Sequence, residues 1–234
     1  GLSGGAAVGA LASIMLGLGG WWLSGTAFVG ALISVGVVFG IASRAGSWST
    51  THLLLTGVVV SAGWGALINL MLSTSASASV QGMLFWLMGD LSQSSVGPAQ
   101  IGVLVVGAGL AMRAARSLNV LVRGDLVAAS LGVDIKRLRL SLFFGASLLT
   151  VIAVTTAGSV GFVGLVVPHM LRLIGARDHR VLIPFSLLTG GTFLVVADTL
   201  ARTLLAPQQL PVGVITALIG VPSFIAILRS TPSK

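Results

Sequence analysis

Several apolar runs long enough to cross a bilayer, set apart by short polar or charged segments, leave this chain few choices of fold. A hydrocarbon core about 30 Å thick takes roughly 20 helical residues, and backbone groups in lipid must be satisfied within the segment itself. The runs lie at residues 2–19, 26–42, 53–72, 98–112, 140–156, 161–173, 182–199 and 212–228. They predict an all-α polytopic membrane protein with eight spans. Residues 81–91 are apolar but too short to cross, and read as a re-entrant or interfacial helix. Trp21 and Trp22 close the first run with rings suited to the membrane–water boundary.

The stretch 158–180, GSVGFVGLVVPHMLRLIGARDHR, departs from this pattern. It is too apolar for a soluble loop, and Gly158, Gly161, Gly164 and Pro168 break it as an ordinary span. Short spans interrupted by Gly or Pro point to transport machinery. Gly5 with Gly9, and Gly36 with Gly40, have the GxxxG spacing that brings helix backbones together, a weak signal by itself.

Thirteen Lys and Arg against five Asp and Glu give a net charge of +8. In a soluble protein this excess raises nucleic acid as a partner, but here the loops explain it and no nucleic acid is expected. With the C-terminus in the cytoplasm, alternate loops place every basic residue inside except Arg202, as the positive-inside rule requires. The most charged segment, residues 117–139, is then cytoplasmic.

Little in the chain suggests catalysis. Without cysteine there is no Cys-ligated metal; His169 has no second ligand at a chelating spacing, so neither metal nor cofactor is expected. Asp90 and Asp198 raise a membrane aspartyl protease, but Leu87 stands where the GxGD signature needs glycine. No phosphate-cradling loop is present, so any ATP is hydrolysed by a partner. Thr56, Ser61 and Asn69 are polar within a span, where such groups face a cavity or bond to neighbouring helices.

Four blocks carry a family resemblance: GSVGFVGLVVPHMLRLIGARDHRVLIP at 158–184, LVVADTLART at 194–203, QLPVGVITALIGVPSFIAILR at 209–229 and GDLVAASLGVDIKRLR at 124–139. With them the whole chain resembles the permease subunits of bacterial ATP-driven importers for iron–siderophores, haem and vitamin B12. The resemblance implies a single permease domain over 1–234, matching the last eight helices of a ten-helix fold whose first two would precede Gly1. It implies a multi-pass protein of the cytoplasmic (inner) membrane, paired with a second permease copy or half, two cytoplasmic ATPase subunits and an extracytoplasmic binding protein.

The resemblance also assigns roles. Val120, Leu121, Gly124, Asp125, Ala128, Ala129, Leu131 and Gly132 match the segment that docks on the ATPase. The loop with Ser49, Thr50, Thr51 and His52 is similar to the inner gate, and Ser73–Ser75 falls loosely at the outer gate. Helices matching 53–72, 81–91 and 212–228 line the pathway, so Phe85 and Trp86 join Thr56, Ser61 and Asn69 as candidate lining residues. Arg202 matches the site where an outer arginine receives an acidic residue of the binding protein; its spacing from Asp198 equally allows a local pair. A passive channel or secondary transporter is the alternative reading, and segment 117–139 argues against it, since a channel has no need of an ATPase-docking helix.

Overall fold

The structure, a computed structural model, describes residues 1–44, 50–92, 94 and 96–230. Those residues form ten helices: α1 (Leu2–Met15), α2 (Trp21–Arg44), α3 (Thr50–Thr74), α4 (Ser77–Met88), α5 (Pro98–Leu121), α6 (Asp125–Ser130), α7 (Ile135–Ala157), α8 (Val163–Leu173), α9 (His179–Thr203) and α10 (Val212–Ser230). The expected all-α class holds. Of the eight expected spans, α2, α3, α5, α7 and α9 are long and apolar enough to cross, whereas α1, α8 and α10 are shorter apolar helices. At 1.5 Å per residue, α1 covers about 21 Å and α8 about 16 Å, against a hydrocarbon core of about 30 Å.

The helices pack as two compact units, with α7 passing from one into the other. The first contains residues 1–96 and 143–159. Its core is built on small side chains: Ala6 and Ala10 of α1, Ala27, Ala31 and Val35 of α2, and Val151 of α7. Small residues let the backbones of α1 and α2 touch. A Cβ on Gly5 would meet the Gly30 carbonyl oxygen, and one on Gly9 the Thr26 carbonyl oxygen. The Gly5–Gly9 motif is therefore a packing contact, while Gly36 and Gly40 face open space. Ser34 Oγ ties three helices, donating to the Gly1 carbonyl at 2.7 Å and accepting from Trp64 Nε1 at 2.9 Å.

Trp21 and Trp22 open α2 instead of closing the first run, and stack on each other with centroids 4.3 Å apart. Helix α4 fits the predicted non-spanning helix but starts at Ser77. It ends where the Asp90 amide donates to the Ala157 carbonyl at 3.0 Å.

The second unit contains residues 97–142 and 160–234, of which the structure describes those up to 230. Val167 and Leu171 of α8 pack on Leu182 of α9. The broken stretch singled out in the sequence turns into α8 at Phe162, a non-glycine residue with φ 67°. Such a backbone is costly for an aromatic residue. The Phe162 side chain lies on Gly220 of α10, where a Cβ would come within 2.5 Å of Phe162 Cβ. His169 contributes no ligand set; its ring meets Phe224 edge-on at 5.7 Å, and no metal-holding cluster occurs among the described residues.

Candidate functional site

Segment 117–139 is mostly helical. Helix α5 continues past Arg113 and Arg116 to Leu121, so Val120 and Leu121 close a long helix and are not part of a loop. After a turn at Gly124 (φ 110°) comes α6, one and a half turns long and too short to persist by itself in water.

Both ends of α6 are fixed. Gly132 (φ 78°) donates to the Ala129 carbonyl and Val133 to the Ala128 carbonyl, each at 3.0 Å. These two bonds make the Schellman termination that a left-handed glycine permits. Asp134 then caps α7, accepting from the Arg137 amide at 3.0 Å. Arg139 Nη2 reaches back to both carboxylate oxygens of Asp125 at 2.9 Å, holding the start of α6 against the start of α7.

The result is a short, tethered helix with one buried and one exposed side. Ala128 is buried, whereas Ala129 is exposed. Leu126 is 89% exposed, and Val122 before α6 and Leu131 at its end are exposed as well. Fully burying a leucine is worth about 1.5–3 kcal/mol, so an apolar knob held this openly is suited to a partner's cleft.

A second cluster joins the end of α5 to the start of α9. Asn119 Nδ2 donates to Asp178 Oδ1 at 2.6 Å, and Asn119 Oδ1 accepts from the His179 amide at 2.9 Å. His179 Nδ1 lies 2.7 Å from the same oxygen, a carbonyl acceptor, which sets the ring proton on Nδ1. Asp178 caps α9 through the Arg180 amide at 2.8 Å. That backbone bond, and then the Asn119 amide, hold its carboxyl below the usual range. Asp178 was legible as a cap residue ahead of an apolar run. Asn119 was missed, because nothing local marks a residue whose partner lies 59 positions away.

The other candidates separate. Thr50, Thr51 and His52 belong to the first turn of α3 and not to a loop, because the helix begins before the apolar run does, and Thr51 and His52 are exposed. Ser49 lies outside the described residues, as does the side chain of Thr50. Thr56, Ser61 and Asn69 do not share one face of α3. At about 100° per residue, Ser61 is turned about 140° from Thr56, and Asn69 about 220°. Ser61 and Asn69 are exposed; Thr56 is half-buried, as are Phe85 and Trp86 of α4, and Trp86 packs on the alanine-rich core. Arg202 lies in the last turn of α9 and not in a loop, with Nε 2.8 Å from Asp198 Oδ2. The local pair exists, and at 41% and 25% side-chain exposure it is worth at most about 1 kcal/mol. The two protease-candidate aspartates are otherwise engaged: Asp90 accepts from the Ser92 amide and hydroxyl at 2.8 and 2.7 Å, and Asp198 holds Arg202.

The model of the FecCD transport family matches residues 1–230. The chain belongs to that family. As a FecCD-family chain it is similar, at 45% identity over 98% of its length, to the cobalamin import system permease protein BtuC of Halobacterium salinarum, and spans 62% of that relative. It is 38% identical over 97% of its length to the vitamin B12 import system permease protein BtuC of Salmonella typhi, and spans 71% of it. Its fold matches a solved metal-chelate type ABC transporter in an inward-facing conformation, with a TM-score of 0.89 and 26% identity over 99% of this chain and 74% of that one. None of these matches supports a channel or secondary transporter.

Proposed function

We propose that this FecCD-family chain forms the membrane-spanning part of an ATP-driven importer that moves a corrinoid of the vitamin B12 type from an extracytoplasmic binding protein into the cytoplasm. The observation that carries the reading is α6: a helix of six residues, closed at its C-terminal end by Gly132 and held at its start by the Asp125–Arg139 pair, that presents Leu126 almost fully exposed. A helix too short to stand alone, fixed this firmly with its apolar side outward, fits a lever seated in a cleft of a nucleotide-hydrolysing partner. Ala129 and Gly132 add little bulk, so such a partner can approach closely.

Two permease copies or halves, two ATPase subunits in the cytoplasm and one binding protein complete the assembly, with the C-terminus of the chain on the cytoplasmic side. The corrinoid is favoured by the names of the two permease relatives. A metal chelate is the second reading, supported by the solved transporter.

Arg202 is the proposed binding-protein contact. An exposed arginine already ordered by Asp198 loses little freedom on meeting an acidic residue, and a contact of this kind acts mainly through register and association rate. Arg202→Glu is expected to slow association of the binding protein most at low salt, with an unchanged amount of permease in the membrane. An unchanged association rate removes Arg202 from this role.

The functional reading is tested by uptake into vesicles containing this permease, its ATPase and its binding protein. Labelled cobalamin should accumulate only with ATP and binding protein together. Uptake without ATP returns the channel reading, and uptake of a ferric chelate in place of cobalamin selects the second substrate.

A further inference from the structure

Three arginines from two helices converge on one groove. Arg113 and Arg116 of α5 and Arg180 of α9, together with Met112, line a cavity of about 480 Å³. All three arginines are exposed. Among the described residues their guanidinium groups have no carboxylate within ion-pairing distance, since the pairs found are Arg137–Asp134, Arg139–Asp125 and Arg202–Asp198. Asp178, close to Arg180 in sequence, is engaged by Asn119 and by the Arg180 amide. The Asn119 tether fixes the two helix ends that carry the arginines, so their convergence is built into the fold.

Depth identifies the kind of anion. At 1.5 Å per residue, Arg113 and Arg116 stand about 22 and 27 Å along α5 from Pro98, so they reach the far edge of a hydrocarbon core about 30 Å thick. Toward the membrane interior the surface turns apolar, with Leu110 on α5 and Leu187 and Leu188 on α9 all exposed. A basic groove bordering an apolar surface matches a molecule with an anionic head and hydrocarbon tails.

We propose that this groove binds the phosphate of an anionic phospholipid, with the acyl chains lying along α5 and α9. The proposal requires that these helices lie in a bilayer, and depends on neither substrate nor orientation. Arginine suits the role because its planar fork can bond two phosphate oxygens at once.

The test is native mass spectrometry of the purified chain offered phosphatidylglycerol and phosphatidylcholine in equal amounts. One phosphatidylglycerol should be retained in preference. Arg113→Gln, Arg116→Gln and Arg180→Gln should each weaken retention about fivefold, and Arg180→Lys should keep part of it. Arg177→Gln removes the same charge outside the groove and should change nothing, which separates the site from a general positive field. Equal retention of the two lipids, or an equal loss with Arg177→Gln, overturns the proposal. Displacement of the lipid by millimolar inorganic phosphate or by polyglutamate also overturns it, since the groove would then serve a water-borne anion or an acidic protein segment.

Discussion

Gly9 and Gly36 each belong to a GxxxG pair on an apolar helix, yet one is pressed on a neighbouring backbone and the other faces open space. Spacing alone cannot tell them apart, because the motif states which residues share a face and not what the face meets. A methyl group at Gly9 must push against the Thr26 carbonyl, which is backbone and cannot swing aside. Gly9→Ala and Gly30→Ala are therefore expected to destabilise the fold by about 1–3 kcal/mol. Gly36→Ala and Gly40→Ala should be neutral or slightly stabilising, since alanine favours helix. Unfolding midpoints of the four variants in one detergent check this, and equal losses at all four sites would remove the distinction. Asp178 supports a prediction of another kind. Its carboxyl is held below the usual range by the Arg180 amide and by Asn119. A lowered folded-state pKa contributes stability above the unfolded value, and that contribution fades as the pH falls through the folded one. Asp178→Asn keeps a cap acceptor but has no charge to lose, so its thermal midpoint should vary less between neutral and acid pH than that of the parent. An unchanged pH profile would show that this carboxylate does not stabilise the start of α9.

At the scale of elements, α6 gives the sharpest division between folding and coupling, because adjacent alanines differ in burial. Ala128 is fully buried while Ala129 is exposed. Ala129→Trp should leave the permease in the membrane at its normal level and abolish ATP-dependent uptake, because the indole occupies the space a partner needs. Ala128→Trp should lower the amount of folded protein. Gly132→Trp is the poorer probe, since φ 78° strains any side chain there before a partner is met. Full uptake with Ala129→Trp would show that α6 is not the coupling element. The apolar centres of these helices were legible from sequence, and most of their ends were not. Hydropathy reports where lipid stops, whereas backbone hydrogen bonding decides where a helix stops. Arg113 marks the first boundary on α5, but arginine is a good helix former and the helix runs on to Leu121. The polar residues Thr50, Thr51 and His52 likewise read as loop and form a helical turn. Within the candidate site, glycines 124 and 132 bounded α6 visibly, but the Asp125–Arg139 pair and the Asn119 cluster depend on tertiary approach that no local pattern encodes.

For the whole molecule the open quantity is the side of the membrane on which each end of α9 lies, and two independent arguments bear on it. The charge pattern predicts a cytoplasmic position for segment 117–139. Hydrogen bonds place the start of α9 with it, because Asn119 at the end of α5 holds Asp178 and His179. This second argument bypasses α8, whose 11 residues are too few to settle a crossing by length. From that shared end α9 runs 25 residues, about 37 Å, enough to cross. Gln208 must then lie opposite Ser130. The chain has no cysteine, so single cysteines report without background, and both positions are exposed. An impermeant thiol reagent added outside intact cells should label Gln208→Cys and leave Ser130→Cys untouched until the cells are opened. Labelling of Ser130→Cys alone would invert the orientation and overturn the charge argument while keeping the crossing. Labelling of both, or of neither until the cells are opened, would mean that α9 does not separate the two sides, and the bonded ends of α5 and α9 could not then define one face of the membrane.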